Sequence, residues 1–74
     1  MAINEKSELK RSLTIQGHRT SLSLEPEFWD ALKQAAKDEH KSLAALVAEI
    51  DAAREGRNLS SAIRVWVLAR AKRS

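Results

Sequence analysis

The sequence predicts a small, mainly α-helical domain with a short N-terminal β segment. Three observations carry this. "TSLSL" alternates apolar and polar residues, with Leu22 and Leu24 on one face and Ser21 and Ser23 on the other. Pro26 follows at once, at the first position of a helix, where its missing N–H costs nothing. From there to Ala69 the apolar residues recur at helical spacing, interrupted only by breaks near His40 and Gly56.

The elements follow in order. Residues 1–8 show no periodicity and are expected to form a flexible arm, leaving 9–74 as the folded domain. The strand is predicted over about 19–24. "LTI" before it alternates as well, but Leu13 and Ile15 are odd-numbered whereas Leu22 and Leu24 are even-numbered. One straight strand would put the two pairs on opposite faces, so the chain must turn or bulge near Gly17. "LTI" can fold back as a hairpin or run on as a kinked arm, and the residues do not choose.

The first helix is predicted over about 26–39. Glu27 and Asp30 sit in its first turn, at the positive end of the dipole. Phe28, Leu32, Ala35 and Ala36 make its apolar stripe, with Trp29 beside them. Ser42 reads as the N-cap of a second helix over about 42–55, with Leu43, Leu46, Val47 and Ile50 as its stripe and Gly56 as its stop. A third helix, over about 59–71, is opened by Asn58, Ser60 or Ser61. Its apolar residues cover most of its circumference, so it needs burial on more than one side, and Trp66 is expected in the core.

Composition excludes several functions. The 74 residues contain no cysteine, so neither a disulfide nor a thiolate metal site is available. His18 and His40 have no ligand-like spacing, and no metal or other cofactor is expected. No arrangement of Ser, His and Asp suggests a catalytic triad, and the chain is not expected to be an enzyme. No stretch approaches the roughly 20 apolar residues of a membrane span, and residues 1–11 lack the apolar centre of a signal peptide, so a bacterial-type cytoplasmic protein is expected.

Charge is unevenly spread. Residues 1–24 carry +2, residues 25–56 carry −4, and residues 57–74 carry +5 without one acid. Leu9 to Leu24 is also free of acid and contains Lys10, Arg11 and Arg19. Basic, acid-free ends around an acidic middle suggest a polyanion partner.

A single strand cannot form a sheet alone, whereas two copies can pair strand with strand about a twofold axis. Leu22 and Leu24 would then rest on the helices, and Arg19, Ser21 and Ser23 would point outward from a two-stranded ribbon. The major groove of DNA admits such an element. On these terms the protein is expected to be an obligate homodimer.

The run "RTSLSLEPEFWDALKQAAKDEHKSLAALVAEI" resembles the ribbon-helix-helix domain of the MetJ/Arc superfamily of bacterial DNA-binding proteins. The longer block from Lys10 to Leu68 is similar to a group of small stand-alone bacterial members. The resemblance implies an intertwined homodimer with an intermolecular antiparallel ribbon, here with an extra C-terminal helix. It implies base contacts from Arg19, Ser21 and Ser23. It also implies a backbone phosphate held at the start of the second helix, where Ser42 and the amide of Leu43 stand; Lys10 and Arg11 are expected on flanking phosphates. The implied function is double-stranded DNA binding, sequence-specific or semi-specific, by a transcriptional regulator. An antitoxin that represses its own operon is the alternative within the class. A dimeric protein-interaction module without DNA binding is the alternative outside it. Where typical members have Gly at the turn before the second helix, this chain has His40.

Overall fold

The computed structural model describes residues 8–73. The expected arm therefore falls outside the described residues up to Ser7. Five elements follow: β1 Leu9–Ile15, β2 His18–Leu24, α1 Pro26–Asp38, α2 Leu43–Ala52 and α3 Leu59–Arg73.

The two strands form an antiparallel hairpin in which Leu9 opposes Leu24 and Ile15 opposes His18. Only Gln16 and Gly17 connect them, with φ of 52° and 82°. Positive φ at both central residues is the mark of a type I′ turn, whose twist matches that of the flanking strands. The parity change near Gly17 is thereby explained. With a two-residue loop, every odd-numbered residue of β1 opposes an even-numbered residue of β2, so Leu13 and Ile15 share a face with Leu22 and Leu24.

This corrects the expectation that the strand has no partner within its own chain: β2 pairs along one edge with β1. The physical reason is proximity. Closing a two-residue turn costs little chain entropy, whereas recruiting a second chain costs translational and rotational freedom. The strand-pairing argument for an obligate dimer is thus removed.

The core lies between the inner face of the hairpin and the three helices. Ile15, Leu22 and Leu24 enter it from the sheet, Trp29, Leu32, Ala35 and Ala36 from α1, Leu46, Val47 and Ile50 from α2, and Ala62 and Ile63 from α3. Trp29, at 1% exposure, is the largest of them. Its Nε1 donates to the Leu9 carbonyl at 2.9 Å, which ties α1 to the start of β1. Trp66 is only half-buried and packs on the edge of the core, with Arg70 over its ring at 5.6 Å. The expectation that Trp66 belongs to the core is corrected in favour of Trp29.

Capping chemistry sets the helix ends. The Glu25 carbonyl accepts from the amides of Phe28 and Trp29, and Pro26 occupies N1. At the end of α1, His40 takes φ of 58°. The Lys41 amide donates to Ala36 and the His40 amide to Lys37, the two bonds of a Schellman motif, with His40 in the position that glycine usually fills. The Ser42 hydroxyl caps α2 by accepting from the Ala45 amide at 3.0 Å. α2 ends at Ala52, before the expected stop, and Glu55 and Gly56 both take left-handed φ in the loop beyond. Asn58 opens α3: its Oδ1 accepts from the Ser61 amide at 2.8 Å.

Ion pairs lash α3 to the rest. Arg64 Nε meets Glu25 at 2.9 Å and its second nitrogen meets Glu8 at 3.3 Å. Arg70 meets Glu39 at 2.6 Å and Asp38 at 3.5 Å. Lys41 bridges Glu49 and Glu39. The acidic middle of the chain is thus largely engaged with the chain's own cations.

Candidate nucleic-acid interface

The hairpin has two chemically distinct faces, and the register assigns every residue to one of them. Toward the core lie Leu9, Leu13 and Ile15 of β1 with Leu24, Leu22, Thr20 and His18 of β2; Arg11 shares that side. Away from it lie three cross-strand pairs: Lys10 with Ser23, Ser12 with Ser21, and Thr14 with Arg19. All six are polar and two are cationic. Five are exposed, and Ser23 is half-buried.

Ladder geometry fixes the spacing. The residues flanking a two-residue turn exchange hydrogen bonds, so the outward pairs are the non-hydrogen-bonded ones, in which Cα atoms approach to about 4.5 Å. Successive outward residues on a strand are about 6.6 Å apart. The result is a narrow plate of four hydroxyls. Its cations stand at diagonal corners, Arg19 beside the turn and Lys10 near the end of β2.

Of the residues expected to contact DNA, Arg19, Ser21, Ser23 and Lys10 are therefore brought together on one face. Arg11 is not. It lies on the opposite side, with its guanidinium 5.4 Å from the centre of the Trp29 ring. Neighbouring strand residues point to opposite faces, so Lys10 and Arg11 cannot act as one cationic pair.

α2 packs against β1. Ser42 uses its hydroxyl on the Ala45 amide and its carbonyl on the Leu46 amide. The amides of Leu43 and Ala44 are the donors that no helical carbonyl can reach. The Leu43 side chain is half-buried against the core, so its contribution to any anion is its N–H.

Sequence alternation reveals only part of the plate and leaves Ser12 and Thr14 unassigned. A signal for them exists in Leu9, Leu13 and Ile15, which alternate with Lys10, Ser12 and Thr14, but Arg11 breaks the apolar side of the pattern.

Glu8 is the carboxylate beside the Ser21–Ser23 end of the plate, and it is paired with Arg64 at 3.3 Å. The hydrogen bond from Arg64 holds the Glu25 carboxyl below its ordinary range. Hydrogen bonds from Lys41, and then Arg70, do the same for Glu39. Lys41 is raised, chiefly by Glu49 and then by Glu39. No group of histidines and carboxylates among the described residues could hold a metal ion. Among the same residues, no helix is long and apolar enough to cross a membrane.

Comparison with known proteins gives one family. The model for the ribbon-helix-helix domain matches residues 8–71, most of the chain. No curated protein and no solved structure matches.

Proposed function

This chain belongs to the ribbon-helix-helix family, and on that premise we propose that it binds double-stranded DNA through the outward face of its hairpin, as a bacterial cytoplasmic transcriptional regulator without enzymatic activity. Ribbon-helix-helix domains are in general DNA-binding regulators that act as dimers. The observation that carries the reading is the acid-free plate of Lys10, Ser12, Thr14, Arg19, Ser21 and Ser23. A two-stranded ribbon fits the major groove, which is about 12 Å wide. Arg19 can grip guanine through two hydrogen bonds or clamp a phosphate, while the serines supply short hydroxyl donors. The amides of Leu43 and Ala44 beyond Ser42 suit a backbone phosphate.

The homodimer through the ribbon is retained, and α3 adds a second apolar surface. α3 exposes Val65 and Leu68, at 45% and 59%, on the side away from the core. A second copy joining there would present two hairpins to two half-sites, about 34 Å apart on one face of the duplex. The interaction-only alternative loses support, since most of the acidic middle is spent on internal ion pairs. The antitoxin alternative shares the same DNA face and differs only in a toxin partner.

Selection of bound duplexes from a random pool tests the proposal. Enrichment of a sequence with two related half-sites is the expected result. Failure to retain any duplex at low salt would overturn it.

A further inference from the structure

We infer that the outward face of α1 and α3 is a contact between copies of this chain, in which two α3 helices run antiparallel and Lys72 of each meets Glu27 of the other. This deepens the second apolar surface named above, and rests on the DNA-binding reading only for its bearing on paired half-sites.

Helical spacing builds the face. Ser61, Val65, Leu68 and Lys72 follow one another at i, i+4, i+7 and i+11, so they share the side of α3 opposite the buried Ala62 and Ile63. Among the described residues three large apolar side chains are exposed, Leu9, Val65 and Leu68, and two of them stand here, one turn apart. Beside this ridge a groove of about 310 Å³ opens between α1 and α3, lined by Phe28, Val67 and Ala71 together with the ridge itself. A ridge and a groove side by side on one face are what a surface needs to complement its own copy about a twofold axis. Joining there takes Val65 and Leu68 of both copies out of water, which favours association.

Charge sets the polarity. α1 and α3 run side by side in the same direction: Arg64 meets Glu25 at 2.9 Å and lies over the Phe28 ring at 5.9 Å, whereas Arg70 meets Asp38 at 3.5 Å. The start of the face holds Glu8, Glu25 and Glu27 against Arg64, a net charge of −2. Its end holds Arg70 and Lys72 against Asp38, a net charge of +1. Glu27 falls on the α3 side of α1, because Ala31, Gln34 and Asp38, at i+4, i+7 and i+11 from it, line a cleft with Val67, Arg70 and Ala71. Parallel copies would set acidic start against acidic start and Lys72 against Lys72. Antiparallel copies set each acidic start against the other's basic end.

Sedimentation of the full chain without DNA, over a range of concentrations, tests the contact. Leu68→Glu should weaken the association through α3 on the order of 100-fold. Its assembled mass should then fall below that of the wild type at matched concentration, with the melting temperature unchanged, since Leu68 is exposed. Masses identical to the wild type throughout would overturn the inference. Polarity is read from Lys72→Glu, which should weaken the association several-fold and less so in high salt. The double variant Glu27→Lys, Lys72→Glu should restore it, and absence of that rescue would overturn the antiparallel pairing. Leu68→Glu should bind a duplex carrying one half-site as the wild type does. Loss of duplex binding by both proteins would strike the proposed function and leave the contact standing, whereas unchanged masses with intact duplex binding would strike the contact alone.

Discussion

Replacing Trp29 by alanine should cost most of the protein's stability. A tryptophan buries about 150–250 Å². At about 25 cal/mol per Å² this corresponds to roughly 4–6 kcal/mol, reduced to about 3–5 kcal/mol because the unfolded chain is already partly compact. Trp29 is 1% exposed, so nearly the whole ring is lost from the core. Its Nε1–H bond to Leu9 adds about 1 kcal/mol, and the Arg11 guanidinium over the ring about another 0.5–1 kcal/mol. A domain of this size has roughly 4–11 kcal/mol in all. Urea unfolding followed by circular dichroism should therefore find Trp29→Ala unfolded or barely folded. The matched variant Trp66→Ala, half-buried at the core edge, should lose only about 1–2 kcal/mol. Equal losses at the two positions, or a loss under about 1 kcal/mol at Trp29, would refute the assignment of the core.

Other consequences are smaller and as easily checked. Gln16→Asn should stabilise the hairpin by up to about 1 kcal/mol, since asparagine tolerates the left-handed φ of 52° better than glutamine; the melting temperature should rise, and a fall would contradict the type I′ turn. Ser42→Ala should cost about 1 kcal/mol through loss of the cap on the Ala45 amide, as read by denaturation midpoint. Acid should destabilise the protein. The folded-state values of Glu25 and Glu39 lie below their ordinary 4.5, so their contribution is present above that value and lost as pH falls through the lowered ones. Melting temperatures taken downward from pH 6 should fall, less so in high salt, and Glu39→Gln should flatten the curve.

The helical part of the fold was legible because its signals are local. Pro26, Ser42 and Asn58 mark starts through interactions within one turn, and the stripes on α1 and α2 follow a fixed period. β1 was legible only at "LTI". A strand announces itself by alternation, and Arg11 occupies the position where an apolar residue would have continued it, because that side chain covers Trp29. The glycine at Gly17 and the parity change pointed to a turn, but one chain's sequence does not say which copy supplies the other strand. Arg19, Ser21 and Ser23 could be placed on one face by alternation alone. Ser12 and Thr14 could not, since their membership depends on the cross-strand register. The roles of Arg64 and Arg70 as ties between α3 and the elements before it were hidden for the same reason: their partners lie 39 and 31 residues away.

Titration of duplex DNA at several salt concentrations, comparing the wild type with the double variant Lys10→Ala, Arg19→Ala, tests the central claim most directly. Both side chains leave the outward face without touching the core, so the melting temperature should be unchanged. Affinity should fall, and the log–log salt slope should shrink by about one unit for each phosphate that is no longer neutralised, up to about two per chain. If Arg19 reads a base instead, its share should appear as relaxed preference at one position of each half-site. Superimposable titrations for the two proteins would remove the hairpin face from the binding surface and contradict the account.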